Sequence, residues 1–141
     1  ISYLYLLNNL NNTIMFEEKT MKVIDIQALG IALMSFERAA EGQGVSAKLG
    51  YKMARFRDEV AKVSETIEKQ RQEIFKKYGD EKDGQVEIPK KNVEKFNKAI
   101  TEFLNQEDSV RVLLEPVDIE EFGDVKLTPS FMNTFKEYIK E

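Results

Sequence analysis

Across residues 46–78 the apolar side chains return at alternating intervals of four and three, and the spacing predicts one long helix. The positions are Leu49, Met53, Phe56, Val60, Val63, Ile67, Gln70, Ile74 and Lys77, and seven of the nine are apolar. Such a row is the seam of a helix that packs lengthwise against another helix. No proline interrupts it, and Gly50 is its only weak residue. Its stripe needs a partner, because a helix of this kind is not stable alone in water.

Two more helices are predicted on either side. Upstream, Val23-Ile24-Asp25-Ile26 leads into helical spacing at Ile26, Leu29, Leu33, Phe36 and Ala40, with Asp25 as N-cap. Gly42 and Gly44 end that helix, and Ser46 caps the long one. Gly79 closes the long helix, residues 80–84 form a charged turn with an Asp-Gly pair, and residues 85–88 form a short strand stopped by Pro89. A third helix then presents Val93, Phe96, Ile100, Phe103 and Leu104 on one face, matching the long helix as an antiparallel hairpin.

Beyond Asn105 the period shortens to two. Val110, Val112 and Leu114 alternate with Arg111, Leu113 and Glu115, which reads as a strand stopped by Pro116. Residues 119–122 read as a turn or a single helical turn, and Val125-Lys126-Leu127 as a second short strand. Thr128-Pro129 pairs an N-cap with a proline at the first helical position. The helix it opens carries Phe131, Phe135, Tyr138 and Ile139, and the three aromatics form a stripe expected in the core or in a dimer seam. The fold class expected is α+β: mainly helical, with a long antiparallel helical hairpin, a small two- or three-stranded sheet and a C-terminal helix.

The beginning of the chain breaks this pattern. Residues 1–14 are rich in Asn and Leu, nearly uncharged, and do not start with Met. The apolar run at residues 3–7 is too short to span a bilayer. It also lacks the basic start and small-residue cleavage site of a secretion signal. Glu17, Glu18 and Lys19 are encoded by purines alone, just ahead of Met21, as in a bacterial ribosome-binding site upstream of a start codon. Residues 1–20 are therefore expected to be a translated leader or an N-terminal arm, and residues 21–141 a single α+β domain.

Composition narrows the chemistry. The 141 residues contain neither His nor Cys, which removes the commonest general base, thiolate nucleophiles, disulfides and the usual transition-metal ligands. Catalysis would fall to carboxylates, Lys or Tyr, and a metal to oxygen ligands. No catalytic motif is present, no cofactor is expected, and the reading is that of a non-enzyme. The net charge of -4 gives no general attraction for polynucleotides or anionic membranes.

The most suggestive local chemistry is Gly42-Gln43-Gly44-Val45-Ser46-Ala47-Lys48. Two glycines precede a helix N-terminus, where free N–H groups and the helix dipole favour an anion. Lys48, Lys52 and Arg55 form one stripe over the first turns, Arg57 lies nearby, and Tyr51 and Phe56 are candidates to stack on a base. Residues 46–57 contain four basic side chains and no acidic one, a placement that opposes the dipole unless an anion answers it. The candidate ligand-binding set is Gly44, Ser46, Lys48, Tyr51, Lys52, Arg55 and Arg57. The competing reading is a capped turn whose cations pair with acidic residues elsewhere. The Gly-Lys-Ser/Thr ending of a nucleotide P-loop is missing.

Residues 107–124 are the acidic counterpart, with seven carboxylates against Arg111 alone. They lack the spacing of a calcium loop, so a solvated face, or a surface that docks on the basic helix start, is expected.

From Met21 onward the chain resembles a widespread group of small proteins of tailed bacteriophages, about 120 residues long. Three stretches carry the resemblance. One is residues 45–57, a Leu/Tyr/Lys-containing segment after the glycine loop. The next is residues 71–79 with the acidic turn, followed by Ile88-Pro89 and residues 93–97. The third is the strand, acidic turn and Leu127-Thr128-Pro129 before the last helix. The resemblance implies a phage origin and the host cytoplasm as the setting. It brings no site residues and does not cover residues 1–20.

These readings lead to a non-catalytic phage protein that counters host antiviral defence by sequestering a nucleotide-derived immune signal. The partners expected are a small anionic ligand such as a cyclic nucleotide or ADP-ribose derivative, and further copies in a homo-oligomer, with no membrane and no nucleic-acid polymer. The alternative is a structural or assembly accessory that works through protein–protein contacts, and a carboxylate-based hydrolase comes third.

Overall fold

In the computed structural model of the chain, residues 14–141 are described. The long helix, α2 (Ala47–Tyr78), begins after Ser46, whose Oγ accepts from the Leu49 N–H at 3.1 Å. It ends at Gly79, but not because that residue is left-handed. A Cβ there would lie 2.3 Å from Val86 Cγ1 and 2.6 Å from the Phe75 carbonyl oxygen, so only glycine leaves room for the chain to fold back.

The helix α1 (Val23–Ala40) starts three residues before the expected Ile26, with Lys22 as N-cap and Asp25 inside the first turn. Gly42, at φ +77°, turns the chain into α2. The two helices run antiparallel: Glu37 near the end of α1 meets Arg57 early in α2, and Gly30 lies against Val60 and Ser64. The third helix, α3 (Val93–Asn105), folds back along the second half of α2, where Phe75 and Phe96 meet edge to face at 5.0 Å. The long helix thus has two successive antiparallel partners, α1 first and α3 after. Its buried residues include Leu49, Met53, Phe56, Val60 and Ile67 of the expected row, while Val63 and Ile74 are half-buried.

The turn between α2 and α3 is a hairpin, β2 (Asp80–Lys82) and β3 (Gln85–Glu87), closed by Asp83 at φ 51° and Gly84 at φ +77°. Positive φ at both central residues is the two-residue turn that strand twist favours.

The longest strand absent from the sequence reading is β1 (Phe16–Lys22), paired antiparallel with β4 (Glu107–Leu113) from Phe16↔Leu113 to Lys22↔Glu107. It runs across the boundary expected at Met21, so Phe16 to Thr20 belong to the sheet. The remainder of the expected leader, residues 1–13, lies outside the described residues. In β4 the expected alternation fails at its end. Val110 and Val112 are buried, but the strand stops at Leu113, also buried, and Leu114 is 42% exposed.

Residues 125–127 are not a strand, although Val125 is buried. The third two-stranded sheet is instead the parallel pair β5 (Val117–Asp118) and β6 (Ile139–Lys140). Between them the 3₁₀ turn Ile119–Phe122 is fastened by a capping box of Asp118 and Glu121, and α4 (Pro129–Phe135) is capped by Thr128 as expected. The last helix stops at Phe135, so Tyr138 lies on a 3₁₀ turn. The aromatic stripe is core: Phe131 stacks on Phe135 at 4.9 Å, and Phe135 and Tyr138 both pack on Phe56. The fold is α+β and mainly helical, with its core between α1, the first half of α2, β4 and the C-terminal aromatics.

Candidate functional site

At 3.6 residues per turn, Lys48, Lys52 and Arg55 lie on one flank of the buried row Leu49, Met53, Phe56 and Val60, and Arg57 lies on the other. The structure separates the expected set accordingly. Arg57 faces α1 and forms ion pairs with Glu37 and, at 3.2 Å, with Asp58, so it does not join the other cations. Phe56 is fully buried and cannot stack on a ligand base.

What comes together is Lys48, Tyr51, Lys52 and Arg55. Tyr51 is 50% exposed, and Arg55 donates to its hydroxyl at 3.3 Å with the guanidinium 6.0 Å from the ring centroid. Neither Lys48 nor Lys52 forms an ion pair with any described residue, and the acidic stretch 107–124 does not dock on them. The first turn of α2 holds no acidic residue. Its Leu49 amide is taken by Ser46 Oγ and its Gly50 amide by the Ser46 carbonyl at 2.9 Å, which leaves the Ala47 and Lys48 amides as donors. Gly44 is exposed, with open space around it and no positive φ, so the left-handed turn belongs to Gly42.

A turn further along the cationic row is Glu59, a carboxylate that sequence reasoning passed over. It is buried, and its Oε1 lies 3.0 Å from Lys62 Nζ and 3.7 Å from Arg111 Nη1. The i+4 step from Arg55 was the available signal. This acid answers Arg111 on β4, from helix to strand, and closes the row at its C-terminal end.

Two hollows were also unforeseen. One, of about 680 Å³, is ringed by Lys19, Lys22, Lys136, Asp25, Glu107 and Glu137, whose charges balance, so it favours neither sign of ligand. Lys19 and Glu137 close on each other at 2.6 Å beside Tyr138. Burial, and then the neighbouring Glu137 carboxylate, push the Tyr138 phenol well above its usual range, and among the described residues its hydroxyl has no hydrogen-bond partner. The other hollow, about 620 Å³ and largely apolar, runs between α1 and α2 past Gly30, Ile31, Met34, Ala61 and Ser64.

Protein-family models, curated proteins and solved structures offer no match to this chain.

Among the described residues, no group of three or more carboxylates converges as a metal site, and no helix is long and apolar enough to cross a membrane. The chemistry in place is cationic and aromatic: amide donors, two lysines without ion-pair partners among the described residues, and an arginine ordered on a half-exposed tyrosine.

Proposed function

We propose that this chain is a non-catalytic binding protein that takes a small phosphate-bearing anion at the start of α2. The observation that carries the reading is the pair Lys48 and Lys52, without acidic partners among the described residues and beside a helix N-terminus whose own partial charge already repels them. A phosphate would offset both, with Arg55 as a further donor and the exposed face of Tyr51 against a base. Ligands of this class include cyclic nucleotides and ADP-ribose derivatives. The resemblance to tailed-phage proteins supports a phage origin, the host cytoplasm as the setting, and the sequestration of a nucleotide-derived immune signal as the role. Assembly of several copies would favour such a ligand, because a shared pocket buries it better than one helix face does.

The test compares wild type with Lys52→Ala/Arg55→Ala in thermal shift and calorimetric titration against a nucleotide panel. Wild type should bind one ligand class and return it chemically intact. The double variant should lose that binding while melting at the same temperature or slightly higher, since like charges near a helix N-terminus are removed. Identical ligand responses in the two proteins would sink the site.

A structural or assembly accessory role is the second reading, favoured by Ile24, Ile31 and Met34, which α1 leaves exposed. An accessory would ignore nucleotides and copurify with phage structural proteins.

A further inference from the structure

We propose that the hollow between β1, the start of α1 and the turn after α4 binds a free α-amino acid, with its carboxylate on Lys19 and the Tyr138 hydroxyl and its ammonium on Glu137. Two independent observations point there. The first is Tyr138, only 4% exposed, whose hydroxyl meets no hydrogen-bond partner among the described residues. Phe56 and Phe135 fix its ring from the core side, at 5.2 and 5.3 Å. On the other side Lys19 Nζ stands 5.9 Å from the ring centroid, and Lys19, Glu137 and Tyr138 together form one wall of the hollow. Native proteins rarely leave a buried hydroxyl in that state, so a polar group brought into this wall answers a standing demand.

The second observation is the charge around the hollow. Lys22, Lys136, Asp25 and Glu107 line it, two of each sign, and none of them forms an ion pair with a described residue. Lys22 and Glu107 stay apart although they stand opposite each other in the β1–β4 register. A ligand of one sign would meet as many like charges as unlike, so neither a simple anion nor a simple cation is favoured. A ligand with both signs gains from both sets. The volume, about 680 Å³, falls in the range of roughly 300–1,000 Å³ common to small-molecule sites.

The one pair that does close, Lys19 with Glu137, selects the spacing of the ligand's charges. Its two side chains are exposed, and such pairs add little to stability. An α-amino acid carries its ammonium and carboxylate on a single carbon, close enough together to insert into that pair. Inserted, it exchanges one ion pair for two and gives the Tyr138 hydroxyl an acceptor. A ligand whose charges stand far apart cannot make this exchange.

The inference is independent of the anion site, since Lys48, Lys52 and Arg55 take no part in this hollow. Thermal shift of the full chain against the common L-amino acids selects a probe. Calorimetric titration then compares that amino acid with its N-acetyl and carboxamide forms, each of which lacks one of the two charges. Wild type should bind the free amino acid, and each blocked form at least about tenfold more weakly. Tyr138→Phe should melt no lower than wild type and bind about tenfold more weakly, because it loses only the hydroxyl. Lys19→Met should lose binding with an unchanged circular dichroism spectrum. Three results overturn the site: no response to any amino acid up to millimolar concentration, an N-acetyl form that binds as well as the free one, or a Tyr138→Phe protein that binds like wild type. Lys52→Ala/Arg55→Ala should bind the amino acid normally, so failure of this inference and failure of the anion site read out separately.

Discussion

Two polar atoms inside the core show how single residues divide into answered and unanswered groups. Glu59 is buried and answered by Lys62 and Arg111, so its charge is held by partners on two elements. Tyr138 is buried and its hydroxyl is unanswered. An unsatisfied buried hydroxyl costs about 1–3 kcal/mol, so Tyr138→Phe should leave stability at neutral pH unchanged or raise it by up to that amount. The pH dependence has a definite sign. In the unfolded chain this tyrosine ionises near 10.0, whereas in the folded protein burial keeps it protonated to higher pH. Above about pH 10 the unfolded state sheds a proton that the native state keeps, so its contribution to stability falls as pH rises. Urea unfolding of both proteins at neutral and alkaline pH measures this, and Tyr138→Phe should lose less stability on going alkaline. A variant less stable than wild type at neutral pH would mean the hydroxyl has a partner after all.

Among the elements, the helices and the strands β3 and β4 announced themselves, whereas β1, β5 and β6 did not. The row from Leu49 to Ile67 was readable because a 3.6-residue period repeated over many turns leaves little ambiguity. Thr128-Pro129 and Ser46 were readable because caps are local chemistry. By contrast β1 has the sequence Phe-Glu-Glu-Lys-Thr-Met-Lys, without the apolar alternation that marks a half-buried strand. Its place is set by the partner β4, whose edge it covers. A chain beginning at Met21 would lose five of that strand's seven residues. It would also lose the Phe16 ring, 6.4 Å from Phe56. We expect it to be destabilised by about 2–4 kcal/mol from lost ladder bonds and burial. A chain beginning at Met15 retains the strand and should keep more of the stability. Thermal melts of the two shortened chains against full length decide it, and an unchanged Met21-start melt would show that β1 adds nothing.

At the scale of the whole molecule, burial is unevenly distributed. No described residue from 68 to 102 is in the buried core, which ends at Ile67 on α2 and resumes at Phe103 on α3. That projecting end is held by the Phe75–Phe96 pair, half-buried Ile74 and the small hairpin, whereas the body gathers two helices, a sheet and the C-terminal aromatics. Local opening should therefore be easier in the projection than in the body. Native-state hydrogen exchange should find the amides of residues 70–77 and 93–100 opening at lower free energy than those of residues 53–60. Equal protection along all of α2 would mean the molecule opens as one unit.

The local pattern of the chain determined the mainly helical α+β class, the bounds of the long helix, its core-facing row and the caps at Ser46 and Thr128. Each follows from period or from a side chain acting on its own backbone. Tertiary structure alone decided the rest, because those features depend on which distant segment lies opposite. It paired β1 with β4, gave α2 two partners in succession, left residues 125–127 outside any strand and paired residues 117–118 with 139–140 instead. It also divided the expected site, sending Phe56 into the core and Arg57 to Glu37 while leaving Lys48, Tyr51, Lys52 and Arg55 together. Charge and aromaticity were legible at every one of those positions. Their surroundings were not, since a helix row records its own spacing and not what stands across from it.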